Sequence, residues 1–291
     1  MARGVEQIER DIAALEEAVS AIAIELRSAY ASYLTALGQA EQQQLILASY
    51  HLCTQGYPEA FLSLHFSQRQ QLQQAIRKLG QYAANQLFAL TKTELDLGAG
   101  EDGETGRGGE KEMGGGEDDA NFPPSPPHPL TPSPSPSPSP QPSNPMELAT
   151  WQQNLELAIA SILKILSRDA NRLLQQAGIL PKKLPEPVLE AAAKAEASAE
   201  AMPGPPNLLN LLIETENNDQ ESEDSGVTYI IAIHLRLSEI EFADATVRAG
   251  RNQIRNLLSK VSKLGRDYHK KQRERAVAQA EAAWRASWFE G

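Results

Sequence analysis

From Val5 to Ala36, apolar or small residues recur at Val5, Ile8, Ile12, Leu15, Val19, Ile22, Leu26, Ala29, Tyr33 and Ala36, a 3,4,3,4 spacing sustained over more than four heptads. A 3.5-residue period kept for that length gives a helix a narrow apolar seam, which must wind against a second helix to be covered. β-Branched Val5, Ile12 and Val19 at one seam position are compatible with a parallel dimer, so Val5, Ile8, Ile12, Leu15, Val19, Ile22 and Leu26 form a candidate oligomer seam. The partner is a second copy or another helix of this chain.

Gly38 is expected to end this helix, and Glu41 to Thr54 reads as a second one before the turn Gly56-Tyr57-Pro58. Ser67 with Gln70 has the form of a capping box that opens a third helix, with Leu72, Ile76, Leu79, Tyr82, Ala83 and Leu87 on one face. Residues 1–95 thus read as a coiled-coil or three-helix module. Tyr50, His51, Cys53, Tyr57, Phe61, His65 and Phe66 gather around the second turn; their spacing matches no usual metal-ligand pattern and suggests packing and capping.

A linker follows over 96–146. Asp96 to Asp119 holds nine Gly and nine acidic residues against Arg107 and Lys111, a local charge of -7 with almost nothing to bury, which cannot offset the entropy of ordering. Asn121 to Pro145 has twelve Pro, which removes backbone donors and favours extended polyproline II. A spacer is the simpler reading of this tract than a ligand for an aromatic groove, because no basic residue closely flanks it.

Asn144-Pro145 has the form of an N-cap and first turn for a helical segment, 147–202, whose periodic part runs through Trp151, Leu155, Ile159, Ile162, Leu166, Leu173 and Ala177 to Gly178. Leu189 to Met202, rich in Ala, Glu and Lys, suits a surface helix or linker. An acidic loop at 203–226 contains the tract Glu214–Asp224, with six acidic residues and no basic one, preceded by a Leu-rich element that reads as a small core piece or a docking helix. Val227 to Leu237 alternates apolar and polar residues as a strand does, and either Leu208–Thr215 or an identical strand of a second copy can pair with it.

The last module, 227–291, continues into a long helix whose charge opposes that of the whole chain. Ten basic residues (Arg248, Arg251, Arg255, Lys260, Lys263, Arg266, Lys270, Lys271, Arg273 and Arg275) stand against Asp267 and Glu274, a local +8 in a chain of net charge -11. Breaks are expected at Gly250 and Gly265. Three readings compete for this stretch. Nucleic-acid phosphates would be met by the stripe, though no aromatic stacking platform lies within it. An anionic membrane surface attracts such residues by ~1 kcal/mol per charge, with Trp284, Trp288 and Phe289 as interfacial anchors. The third is a solvated helix neutralised by the chain's own acidic tracts.

The single Cys53 excludes an internal disulfide framework or a Cys-based zinc cluster, which points to a reducing, cytoplasmic setting. No run reaches the ~18–20 apolar residues needed to cross a bilayer. The glycines between Gly98 and Gly109 follow no strand and sit among acids that would repel phosphate, so no phosphate loop is read there. No catalytic constellation, cofactor motif or metal-ligand spacing is found. The expectation is therefore a non-enzymatic protein with no cofactor and no small-molecule substrate.

The stretches VTYIIAIHLRLSEIEFADATVRAGRNQIRNLLSKVSKLG, AEAAWRASWFEG and YHLCTQGYPEAFLSLHFSQRQQLQQAIRKLG resemble uncharacterised helical proteins of cyanobacteria. The resemblance implies a cyanobacterial cytosol, makes the thylakoid surface a candidate anionic membrane, and assigns no residue a role. The chain is expected to be mainly α. An N-terminal coiled-coil or three-helix module and a C-terminal helical module with one short strand or hairpin are joined by a disordered linker. The expected function is that of an adaptor or scaffold, oligomerising through its N-terminal helices and docking on an anionic membrane or a helical protein partner, with nucleic-acid association as the alternative.

Overall fold

A computed structural model describes residues 2–96, 144–181, 205–215 and 226–288. The greater part of the 96–146 linker, the Ala/Glu/Lys-rich stretch 189–202, acidic residues 216–224 and Phe289 lie outside the described residues. Among the described residues the fold is mainly helical, with one two-stranded antiparallel hairpin.

Helix α1 runs without interruption from Ala2 to His51, and at ~1.5 Å per residue it is ~75 Å long. Gly38, expected to end it, lies inside it. A Cβ at that position would be only 3.1 Å from the Ala84 Cβ, so Gly38 permits a close helix crossing where a stop signal was expected. The chain leaves α1 through a π-helical turn, Leu52–Gly56, closed by the Tyr57 amide donating to the Leu52 carbonyl at 2.8 Å. A short α2 (Pro58–Ser63) precedes α3 (Phe66–Asp96). The start of α3 is fixed by the Gln68 side-chain oxygen, which accepts from the His65 amide at 2.8 Å; the expected Ser67–Gln70 box is not what opens the helix.

Helix α4 (Pro145–Gln176) begins as its sequence indicates, with the Asn144 carboxamide accepting from the Met146 amide at 2.9 Å and Pro145 in the first turn. Strand β1 (Leu208–Thr215) pairs antiparallel with β2 (Gly226–Ile233), Leu208 opposite Ile233 and Leu211 opposite Ile230. The strand stops at Ile233, short of the expected Leu237, because Asn207, at φ 61 just before β1, takes the next bonds on the ladder side: its carbonyl accepts from the His234 amide at 2.9 Å and its side chain from the Arg236 amide at 3.0 Å. Asn171 of α4 bonds both the amide and the carbonyl of Ile233 at 2.8 Å, and the Ser167 hydroxyl accepts from the Leu235 amide at 2.9 Å. The Tyr57 hydroxyl sits against the Ile231 amide (3.0 Å) and carbonyl (3.3 Å), so the outer edge of β2 is capped by side chains at two consecutive outward positions. A short α5 (Leu237–Ala243) leads into α6 (Ala245–Trp288), 44 residues long and unbroken at either Gly250 or Gly265.

Helix α1 is the central strut. Antiparallel α6 lies along it, with Lys271 paired to Asp11 at 3.0 Å, the Tyr268 hydroxyl donating to Glu16 at 3.2 Å, and Gly250 pressed against Tyr33, where a Cβ would come within 3.3 Å of the Tyr33 Cβ. Helix α3 covers another side, with Gly80 against Gln42, and α4 a third, with Trp151 edge-on to Tyr30 at 5.5 Å between ring centroids. One hydrophobic core joins Val19, Leu26 and Leu45 of α1 to Leu87 of α3, Ile159 of α4 and Ile254 of α6. The N-terminal and C-terminal segments, expected to be separate modules, therefore share one core.

The same packing covers the candidate oligomer seam from within the chain. Val19 and Leu26 are fully buried and Ile12 nearly so, while Val5, Ile8, Leu15 and Ile22 are half-buried. Of the two partners the sequence left open, α6 of the same chain is the one that lies along this helix, and it runs antiparallel.

Candidate functional site

Helix α6 carries all ten basic residues singled out in the sequence, and the fold divides them into three groups. Arg251 is buried, and it is not part of any surface. Its angular position explains this: in the series Val247, Arg251, Ile254, Leu258 the spacing is that of the core face, which places the guanidinium inside. There Arg251 Nε donates to Glu241 Oε1 at 2.5 Å, Nη1 and Nη2 donate to the two Glu156 oxygens, and Nη2 donates to the Tyr33 hydroxyl at 2.6 Å. The Tyr33 hydroxyl in turn donates to Glu241 at 2.7 Å, and Tyr30 donates to Glu156 at 2.6 Å. One guanidinium thus ties α1, α4, α5 and α6 together.

The electrostatics follow from burial and pairing. Burial alone would raise the Glu156 carboxyl and lower the Arg251 guanidinium, yet their mutual hydrogen bonds reverse both directions, holding Glu156 below the usual carboxylate range and Arg251 above its ordinary value. Tyr30 and Tyr33 are pushed up by burial, with Glu156 and Glu241 respectively adding to the rise. Glu156, Glu241 and Tyr30 were not singled out in the sequence. The only signal that could have found them is the polar residue on the core face of α6, which demands buried partners of opposite charge.

The second group is half-buried and paired within the molecule. Lys271 bridges Asp11 and Glu274, both at 3.0 Å, and Arg275 donates to the Gln272 side chain at 2.6 Å.

The third group is exposed. Arg248, Arg255, Lys260, Lys263, Arg266, Lys270 and Arg273 reach solvent, and Arg248 also lies over the Phe242 ring at 5.8 Å. At about 100° per residue, all of these except Lys260 fall within an arc of about 80° turned away from the core side of α6. Continuing along the helix, the same arc carries Val277, Trp284 and Trp288, all exposed. The Trp284 and Trp288 side chains stay in solvent at 67% and 70% exposure, so they do not dock on the bundle. The α1–α6 register supplies the reason: the pairing of Asp11 with Lys271 and of Tyr33 with Gly250 carries the tryptophans past Ala2, where α1 starts. The two rings lean on each other with centroids 6.0 Å apart, and Glu281 beside them is paired to Arg285 at 3.2 Å.

Among the described residues no three His, Cys, Asp or Glu side chains gather where a cation could be shared, and no helix is long and apolar enough to cross a membrane. Cys53 is buried, and burial pushes its thiol up to about 11. No family model, curated protein or solved structure matches the chain.

Proposed function

We propose that the protein is a non-enzymatic adaptor that docks peripherally on an anionic membrane surface through the outer face of α6. The observation that carries this is the shared arc of six exposed cations, Val277 and the Trp pair. Lys and Arg draw a helix to anionic headgroups, and Trp side chains settle at headgroup level, so charge and anchor must lie on one side of the helix to act together. Nucleic acid would use the cations but would leave the solvent-exposed tryptophans at the helix tip without a role, since they lie beyond the charged stretch. The sequence resemblance makes the thylakoid surface the candidate membrane, with the protein otherwise cytoplasmic. The rest of the bundle, with exposed Ile46, Tyr50 and Phe66, would present a second surface to a helical protein partner.

The test is co-sedimentation of the full chain with vesicles of phosphatidylcholine alone and of equal parts phosphatidylcholine and phosphatidylglycerol. Binding only to the anionic vesicles is expected, weakening as salt is raised, and weakening further with Lys263→Gln plus Lys270→Gln or with Trp284→Ala plus Trp288→Ala. Failure to bind anionic vesicles, together with salt-dependent binding to duplex DNA or to RNA, would transfer the stripe to the nucleic-acid reading.

A further inference from the structure

Six exposed cations on one helix face, with no ion pair to any carboxylate among the described residues, call for an anionic occupant whenever no membrane is present. We propose that this occupant is the acidic segment Glu101–Asp119 of the same chain. The segment carries eight acidic residues against Arg107 and Lys111, a net -6 that matches the six cations of the arc.

Along the helix axis both ends of the segment's connection stand near the level of the arc's middle, Pro145 being buried against the core side of α6. On its C-terminal side the chain returns at Pro145, and a Cβ on Gly265 would lie 3.5 Å from the Pro145 Cβ, between Lys263 and Arg266 along the helix. On its N-terminal side the chain departs at Asp96, the end of α3. The α1–α3 register, set by Gly38 against Ala84 and Gly80 against Gln42, carries Asp96 to about the level of Leu26. The α1–α6 register carries Leu26 in turn to about the level of Leu257. From Arg248 to Arg273 the arc is ~37 Å long, so each end is ~19 Å from its middle. Asp119 stands 23 residues from Asp96 and 26 from Pro145. At a full extension of ~3.3 Å per residue the spans allow several times the distance required, so every acidic residue past the first few has enough chain to reach any cation of the arc. Tethering at both ends keeps the local concentration of the segment in the millimolar range, ahead of any free anion of similar charge.

The other acidic tract, Glu216–Asp224, is anchored less favourably. It joins β1 to β2, and that hairpin is held by Tyr57 and Asn171; Asn171 lies ~39 Å along α4 from Pro145. The docking rests on the anionic-membrane reading for what displaces the segment, though not for its existence.

Zero-length carbodiimide coupling of the full chain, mapped by mass spectrometry, reads the docking directly. Coupling of the segment's carboxylates concentrated on Lys263 and Lys270, and abolished in 1 M salt where the Debye length is about 3 Å, is the expected result. Coupling spread evenly over lysines away from α6, such as Lys78, overturns it. A second arm compares wild type with a chain in which the eight acidic residues between Glu101 and Asp119 are replaced by Gln or Asn, with circular dichroism as the folding control. The neutralised chain is expected to bind phosphatidylglycerol-containing vesicles about tenfold more tightly at low salt, because it no longer competes with its own segment. Equal binding by both chains shows the arc to be open and overturns the docking. If neither chain binds vesicles while the salt-sensitive coupling persists, the membrane reading is lost and the docking stands.

Discussion

The Arg251 guanidinium meets Tyr33 in two ways: Nη2 donates to the Tyr33 hydroxyl at 2.6 Å, and Cζ lies 4.5 Å from the centre of the same ring. Because that hydroxyl also donates to Glu241, Tyr33 completes the coordination of a charge taken out of water between four helices. Removing the charge leaves Glu156 and Glu241 uncompensated. Arg251→Met is therefore expected to cost about 3–5 kcal/mol in urea denaturation, and Arg251→Lys to recover little of it, since an ammonium lacks the planar fork. Tyr33→Phe should cost about 1–3 kcal/mol. A variant of Arg251 with unchanged stability would show that the network contributes nothing.

Glu41 is wholly buried in α1, and neither carboxylate oxygen has a hydrogen-bond partner among the described residues. Burial pushes its carboxyl up from 4.5 to about 8. As pH rises the unfolded chain releases this proton first while the folded protein retains it, so this group's contribution is greatest in mild acid. It declines from about pH 4.5 to 8 at up to roughly 1.4 kcal/mol per pH unit. Glu156, held below its ordinary value, acts in the opposite sense, losing stability as pH falls through its folded value. Glu41→Gln should flatten the decline of melting temperature between mildly acidic and mildly alkaline buffer. Parallel profiles for the two proteins would refute the assignment to Glu41.

Asn207 stands at φ 61 immediately before β1 and is fully buried. Its side chain donates to Gln44 at 3.0 Å and accepts from the Arg236 amide at 3.0 Å, while its own amide donates to Glu239. Asn207→Ala loses these side-chain bonds and strains the left-handed backbone, whereas Asn207→Gly loses only the bonds. Glycine is therefore expected to be the milder substitution, by about 1 kcal/mol in thermal unfolding. The reverse order would show that packing of the β carbon outweighs the backbone conformation.

Leu26 lies in the seam and is fully buried within one chain. Leu26→Ala is expected to cost about 2–5 kcal/mol and to leave the molecular mass in sedimentation equilibrium unchanged. The melting temperature of the wild-type chain should not depend on its concentration, as it would if the seam joined two copies. A concentration-dependent melting temperature would return the seam to an intermolecular role.

Periodicity and capping were informative wherever the deciding interaction is local. The phase of Leu155, Ile159 and Leu166 located α4, Asn144-Pro145 located its first turn, and the alternation after Gly226 located β2, while the choice of Leu208–Thr215 over a second copy as its partner came from the tertiary structure. Gly38, Gly250 and Gly265 were misread as stops because a glycine that ends a helix and one that lets a neighbour approach look alike in a single sequence. Arg251 was misread for a related reason: in a helix rich in Arg and Lys, one guanidinium on the core face is hidden among those on the outer face unless its phase is tracked.

The sequence by itself determined which helix faces require cover, where α4 begins and ends, that a strand precedes the last helix, and that the charge of that helix opposes that of the chain. These follow from hydrogen bonding and side-chain periodicity over a few residues. Tertiary structure alone decided that α6 lies along the seam of α1, that Arg251 belongs to the core while its neighbours face water, and that Trp284 and Trp288 extend past the end of the strut. Those outcomes depend on the register between helices more than 200 positions apart in the chain, as in the pairing of Asp11 with Lys271, and no local preference encodes it.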